Sequence, residues 1–264
     1  MSLSASARAA VAVALVAYGS ELADQGAAQV GGAFTDIPEA DALIKRSPEA
    51  FLLAVLFTQG IPAERAWAGP YLLRERLGHL DLARLASERG LVDEAVCRTP
   101  ALHRFKHTMS GWISDAAERL LACWGGDASA IWGDAPTALV LAERLSAFRG
   151  IGRKKAAMAV EILARHFGVT IEGLECGTVA YDVQVRRVFL RTGLVESDTP
   201  EMVAAAAVEA CPSAPGSIDL ATWLIGRQWC HPARPLCDEC RLGGVCPRLV
   251  ERNVDGVGAR RRPV

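Results

Sequence analysis

Apolar residues recur at every third or fourth position along most of this chain, the spacing that one face of an α-helix requires. The segments with this pattern are residues 49–59, 63–77, 114–124, 136–148, 154–167, 183–191, 200–211 and 218–228. No run alternates apolar and polar residues as a strand would. Glycine and proline separate the segments, for example at Gly60 and Pro62. The pattern predicts an all-α fold of packed helices joined by short connections.

Composition fits one large domain or two small ones, since 51% of the 264 residues are apolar and can bury a sizeable core. The net charge is −1, so any surface that binds anions must be local. An apolar run at residues 9–18 resembles part of a signal peptide, but it is too short to span a bilayer. We expect it to be a helix packed against the core.

Four cysteines near the end of the chain have a spacing typical of a metal centre. Cys230, Cys237, Cys240 and Cys246 form a C-x6-C-x2-C-x5-C loop. Short loops bring four thiolates together for a [4Fe-4S] cluster, whereas a structural zinc site commonly pairs two C-x2-4-C knuckles and here only one exists. The spacing favours the cluster, with zinc as the alternative.

The remaining cysteines stand singly and are expected in the core or as unpaired thiols; they are Cys97, Cys123, Cys176 and Cys211. A cluster requires a reducing compartment, so we expect a cytoplasmic protein.

A short turn between two helical segments is the second candidate site. Gly150, Ile151 and Gly152 form a glycine hairpin, which lets the backbone turn sharply and approach a partner closely. The amides that open the next helix favour anions, so the turn predicts a phosphate cradle with Ile151 anchored in the core. Lys154 and Lys155 follow, in a chain with only four lysines, and lysine is the cation that can lose its proton and attack carbon. Two solvated lysines at a helix start are the alternative.

The hairpin, the segment at residues 181–188 that contains Asp182, and the four-cysteine loop follow one another in a specific order. Together they resemble the helix-hairpin-helix DNA glycosylases of the endonuclease III type, over residues 48–247. The resemblance implies two all-α lobes with DNA bound across the cleft. A six-helix barrel would occupy residues 49–168. Residues 1–48 and 169–264 would form the second lobe, with the [4Fe-4S] loop at residues 230–246 and a flexible basic tail at residues 251–264.

The same resemblance assigns roles to individual residues. Lys154 would be the nucleophile, with its pKa lowered by partial burial, and Asp182 would stabilise charge that develops on the sugar. Asp182 can also be an ordinary helix N-cap. Gln59 would fill the gap left by a rotated base, or it could simply face water. The other residues expected at DNA are Arg149, Gly150, Gly152, Arg153 and Lys155.

Several positions depart from the family pattern. Arg149 replaces the usual proline, Asp115 stands where a basic residue is expected, and Gln184 replaces a histidine. The spacer between Lys154 and Asp182 is longer than expected, with an insert at residues 169–180. Trp112 and Ile113 lie where the family places a second wedge, but core positions are an equal alternative. These departures leave the substrate base open.

The resemblance implies a glycosylase with AP lyase activity that excises a damaged or modified base in base excision repair. One alternative is a monofunctional glycosylase that uses water activated by Asp182. Another is a noncatalytic DNA-binding or redox-sensing Fe-S module, although a pure binder would need neither Lys154 nor Asp182. The expected partner is duplex DNA containing such a base, bound by a monomer with no membrane association, near the nucleoid.

Overall fold

The structure is a computed structural model that describes residues 4–28 and 34–251. The predicted all-α class is confirmed: the described residues form α-helices and short 3-10 helices, and their one extended pairing is an isolated bridge between Thr137 and Glu172. The α-helices are α1 (Ala5–Ala28), α2 (Pro38–Arg46), α3 (Pro48–Phe57), α4 (Ala63–Trp67), α5 (Gly69–Leu77), α6 (Leu82–Ser87), α7 (Arg89–Cys97), α8 (Lys106–Trp124), α9 (Ala138–Ser146), α10 (Arg153–His166), α11 (Val183–Arg191), α12 (Pro200–Ala210) and α13 (Asp219–Gln228). The 3-10 helices are Ala128–Ile131, Leu174–Cys176 and Pro215–Ile218.

The chain divides into two compact units. The cysteine-loop unit contains Met1–Gln25 and Gly173–Val264, and the hairpin unit contains Gly26–Glu172. The first boundary differs from the predicted one at residue 48, because α2 belongs to the hairpin unit, where it packs against α3 and α5. Ser47 explains this placement, since it ends α2 and its side chain caps the first turn of α3 without an intervening linker.

Helix α3 lies at the centre of the hairpin unit. Each of its residues from Ala50 to Phe57 is buried, the pattern of a helix that other elements surround. Phe51 packs against the rings of Trp67, Trp132 and Phe167, with centroids 5.1 to 6.0 Å apart. The end of α3 is therefore held firmly by the core before the chain turns at Gln59.

The core of the cysteine-loop unit forms around α1, α11 and α13. Val11, Leu15 and Tyr18 of α1 are buried in it, so the apolar run at residues 9–18 is a core helix, as predicted. None of the described helices combines the length and the apolar character needed to cross a membrane.

Some elements differ from the sequence prediction. The segment at residues 63–77 is two helices, and Gly69 at the break packs directly on Phe57, where a Cβ would lie 2.6 Å from the ring. Helices α2, α6 and α7 lie outside every predicted segment, and the six residues of α6 are too few to show a helical period. Helix α8 begins at Lys106, earlier than the predicted start at residue 114. The prediction missed this start because the first turn of the helix is mostly polar. The tail predicted at residues 251–264 lies outside the described residues beyond Glu251.

Candidate functional site

The predicted hairpin is a tight turn between α9 and α10. Phe148 and Ile151 are buried, and the Ile151 amide donates to the Phe148 carbonyl at 3.0 Å. Helix α10 begins directly after Gly152, so its first amides open at the tip of the turn. The sequence prediction that Ile151 anchors the turn in the core is confirmed. Gly150 and Gly152 lie on either side of it.

Glycine occupies the two hairpin positions, 150 and 152, for different structural reasons. Gly150 has a φ of +92°, and a Cβ at this position would lie 2.5 Å from the Trp112 ring. Gly152 has an ordinary φ of −89°, is exposed, and has no atom within 4 Å of where its Cβ would be. Gly150 is therefore required by the fold. The space at Gly152 is open, as close approach of a phosphate would need.

This difference yields a paired prediction. Gly150→Ala should lower the free energy of unfolding by about 2–4 kcal/mol, because it adds positive-φ strain and a clash with Trp112. Gly152→Val should change stability by about 1 kcal/mol or less. It should nevertheless raise the Kd for duplex DNA about tenfold, the equivalent of roughly 1.4 kcal/mol, by obstructing the backbone. Urea denaturation and fluorescence anisotropy measure the two effects. Normal duplex binding by Gly152→Val would show that this turn is not the phosphate cradle.

The two lysines after the hairpin are exposed to different degrees. Lys154 is exposed, whereas Lys155 is 9% exposed and its Nζ donates to the Leu56 carbonyl at 2.7 Å. The Lys155 Nζ also lies 5.8 Å from the centroid of the Trp112 ring, and burial lowers the pKa of Lys155 to about 8. Adjacent helical residues point about 100° apart, which allows one lysine to face solvent while the next enters the core. The burial expected at Lys154 is thus found at Lys155.

The lowered pKa of Lys155 predicts a change in stability with pH. Between pH 8 and about 10.4 the unfolded chain keeps a proton that folded Lys155 has lost, so the free energy of unfolding should rise with pH in this window. Lys155→Met removes the titrating amine, and its stability should rise less across the window. Urea denaturation at pH 7, 8, 9 and 10 checks this. Equal pH slopes for the two proteins would contradict the assignment of Lys155 as a buried ammonium.

The turn after α3 carries Gln59, the second residue expected at DNA. Gln59 is exposed, its amide donates to the Phe57 carbonyl at 2.7 Å, and Gly60 continues the turn with a φ of +68°. Because Lys155 binds the carbonyl of Leu56 in the last turn of α3, it ties the hairpin to the helix end that presents Gln59.

Arg149 and Arg153, the other cations expected at DNA, are exposed. Arg149 donates to Asp115 at 3.3 Å with 76% of its side chain exposed, a weak pair that a phosphate could replace. Asp115, which departs from the family pattern, also accepts from Arg89 at 2.9 Å. It therefore joins two arginines at one surface, and sequence reasoning missed Arg89. Ile113 is fully buried and belongs to the core, while Trp112 packs beneath Gly150.

Asp182 lies in the cysteine-loop unit, at the start of α11. Its Oδ1 accepts from the Gln184 amide at 2.7 Å, so it is the N-cap of that helix. The side chain of Gln184, which stands where histidine was expected, accepts a hydrogen bond from Arg187. The capping alternative for Asp182 is therefore observed, and it does not exclude a second role for the carboxylate.

The four loop cysteines line one cavity, together with apolar residues such as Val188 and Leu242. Burial raises the pKa of the Cys240 and Cys246 thiols, and the neighbouring cysteines raise it further. One cavity lined by four thiols can hold a metal centre, either a [4Fe-4S] cluster or zinc.

Two buried arginines of α11 hold this loop. Arg191 donates to the carbonyls of His231 and Pro232, each at 2.7 Å, and its Nη1 lies 3.7 Å from the Cys230 sulfur. Arg187 donates to the Cys230 carbonyl at 2.6 Å. Sequence reasoning did not identify Arg187 or Arg191. Their position on the apolar face of segment 183–191 was the feature that could have revealed them. Helix α11 thus links Asp182 at its first end to the cysteine loop at its last.

Comparisons with known proteins agree with this architecture. A relative named endonuclease III, from Thermotoga maritima, is 30% identical over 138 residues, which cover 52% of this chain and 59% of the relative. The chain thus matches less than two thirds of the length of that relative. No model of a protein family matches the chain.

Two solved structures are similar in fold. A trapped covalent intermediate of endonuclease III with DNA has a TM-score of 0.57 at 20% identity, covering 78% of this chain and 86% of the other. A thermostable thymine-DNA glycosylase has a TM-score of 0.62 at 11% identity, with 92% and 98% covered. These likenesses and the helical architecture show that the chain has the fold of the helix-hairpin-helix DNA glycosylases.

Proposed function

We propose that this protein is a DNA glycosylase with AP lyase activity, which excises a damaged or modified base in base excision repair. The observation that carries the proposal is the hairpin: Gly152 is exposed at the start of α10, and the exposed residue Lys154 follows two positions later. A phosphate bound at the turn would bring a nucleotide of the same strand near this amine. The relative named endonuclease III supports the same reading.

The chemistry follows from the amine. Neutral Lys154 Nζ attacks C1′ of the sugar, a new N–C1′ bond forms, and the bond from C1′ to the base breaks with its electron pair leaving on the base. Loss of a proton from nitrogen and opening of the ring give an imine, from which elimination cleaves the strand on the 3′ side. Asp182 would stabilise the positive charge on the sugar as the base departs and assist proton transfer.

DNA binding would rest on few contacts. The net charge of −1 gives no general attraction to DNA, so affinity would come from the hairpin amides, Arg149 and Arg153, with Gln59 filling the gap left by the rotated base. The partner would be duplex DNA with a damaged or modified base, bound by a monomer in a reducing, nucleoid-containing compartment. Lys155, being buried, would support this surface from beneath instead of touching phosphate.

We further propose that Cys230, Cys237, Cys240 and Cys246 hold a [4Fe-4S] cluster. The cavity shared by the four thiols and the two arginines that hold the loop support a metal centre here, and the presence of a single C-x2-C knuckle favours the cluster over zinc. A cluster at this place would cross-link the loop and fix its shape. Arg187 and Arg191 orient the loop through hydrogen bonds to its carbonyls. Gly243 allows the backbone to pass close to the Cys237 and Cys240 carbonyls.

Gly243 offers a test of the cluster that needs no activity measurement. A Cβ at this position would lie 2.7 Å from the Cys237 carbonyl oxygen and 3.1 Å from that of Cys240, so Gly243→Ala should distort the loop. Iron in protein purified without oxygen should fall from about four per chain to less than half of that. Gly244→Ala is the matched control, because nothing lies within 4 Å of its Cβ position. Stoichiometric zinc without iron in the unaltered protein would contradict the cluster.

The experiment that tests the proposed function is a panel of duplexes, each with one damaged, mismatched or abasic nucleotide. Base release and strand cleavage are measured separately with enzyme in excess. Release coupled to cleavage on at least one duplex is the expected result. Release without cleavage would favour the monofunctional glycosylase, and neither activity on any duplex would favour the noncatalytic module.

A further inference from the structure

Three side chains of the hairpin unit converge at the junction of α7 and α8. Asp93 and Cys97 are four residues apart on one face of α7, and His107 lies in the first turn of α8. The Nδ1 of His107 is 3.4 Å from the Cys97 sulfur and 3.0 and 3.1 Å from the two carboxylate oxygens of Asp93. One donor atom from each residue lies within 4.8 Å of the other two. None of the three has a role in the proposed glycosylase chemistry.

The spacing of these donors matches the edges of a metal tetrahedron. With bonds of about 2.3 Å to sulfur and about 2.0–2.1 Å to nitrogen and oxygen, a tetrahedral zinc ion places sulfur and nitrogen about 3.6 Å apart and nitrogen and oxygen about 3.3 Å apart. The observed separations are within a few tenths of an ångström of these edges. The third pair, the Cys97 sulfur and an Asp93 oxygen, lies within 4.8 Å.

A fourth residue orients the carboxylate. The Ser110 hydroxyl donates to Asp93 Oδ1 at 2.6 Å, from the next turn of α8. Hydrogen bonds of this kind from outside the ligand set fix ligands at metal sites.

From this geometry we propose that Asp93, Cys97 and His107 form a zinc site with three protein ligands, separate from the four-cysteine loop. Thiolate, imidazole and carboxylate are ligands that zinc accepts, and the exposed position of His107 leaves the fourth place for water. The ion would clip the end of α7 to the start of α8. The segment between them carries Arg104, whose side chain approaches the Gly60 carbonyl at 3.4 Å beside Gln59. Zinc would thus steady a loop that contacts the Gln59 turn.

The test is metal content, measured on the full chain with its cluster intact. Protein is equilibrated with micromolar free zinc set by a chelator buffer, and zinc and iron are counted by mass spectrometry. We expect one zinc per chain in addition to the iron. Cys97→Ser and His107→Ala should lower zinc affinity at least about 100-fold, and Ser110→Ala about tenfold, the usual range for a group that orients a ligand. Cys123→Ser, which alters an exposed cysteine elsewhere on α8, should bind like the unaltered protein.

The outcomes of this experiment test the zinc site independently of the proposed DNA glycosylase activity. Zinc bound equally by unaltered protein and by Cys97→Ser, or no zinc in either, would overturn the proposal. If a variant fails to fold, the Ser110→Ala comparison still decides, since it leaves all three ligands in place. Because the readout is metal bound and not DNA processed, a negative lesion panel leaves this test unaffected.

Discussion

Replacing Lys154 with alanine should slow base release and strand cleavage at least about 10³-fold, the scale on which loss of a covalent nucleophile slows other enzymes. Lys154 is exposed beside the open Gly152 turn, so truncating it should leave the fold and duplex affinity nearly unchanged. Single-turnover rates on the best duplex of the panel provide the measurement. The loss should appear in the rate of chemistry and not in the Kd.

The matched control is Lys106→Ala, because Lys106 is an exposed lysine at the start of another helix of the same unit. Its rates should stay within about threefold of the unaltered protein, a difference of less than about 0.7 kcal/mol. Lys155→Met should retain the imine chemistry, but it is unsuitable as a surface control because the Lys155 side chain is buried and bonds the Leu56 carbonyl. Undiminished rates in Lys154→Ala would assign the nucleophile elsewhere.

Asp182→Asn should slow base release by about 10²–10³-fold, because the carboxylate acts on charge that appears only in the transition state. Asparagine caps helices as well as aspartate does, so the hydrogen bond from the Gln184 amide and the start of α11 should persist. Affinity for undamaged duplex should change less than about threefold, equivalent to roughly 0.7 kcal/mol. Single-turnover base release and anisotropy measure the two quantities.

The alanine variant separates the two roles of Asp182. Asp182→Ala removes charge and cap together, so it should lose about 1 kcal/mol of stability in addition to the rate. If Asp182→Asn releases base as fast as the unaltered protein while Asp182→Ala is merely less stable, the residue is a cap alone.

Helices whose apolar residues repeat over several turns could be predicted from the sequence. Segment 183–191 is the helix α11 with the predicted ends, because its apolar residues repeat through more than two turns and Asp182 marks its start. The hairpin was equally visible, since two glycines flank a buried isoleucine between helices. Short helices such as α6 carry too few turns for the same argument, and their formation depends on tertiary packing.

In the candidate site, the type of residue alone does not reveal which side chains are buried or which groups they contact. Lys154 and Lys155 are chemically identical, and only the direction of each around α10 decides which is buried. The roles of Arg187 and Arg191 depend on carbonyls about 40 residues away, at Cys230 and His231, which no local pattern can reveal. The three ligands at the α7–α8 junction meet because two helices turn back on each other at a connection outside every predicted segment.

The exposed Lys154, and not the buried Lys155, is proposed to attack the sugar. Borohydride added during turnover reduces the imine and joins the protein irreversibly to an abasic-site duplex, and digestion followed by mass spectrometry identifies the modified residue. We expect an adduct on Lys154, none on Lys155, and no adduct with Lys154→Ala. An adduct on Lys155, or base release without any adduct, would contradict it.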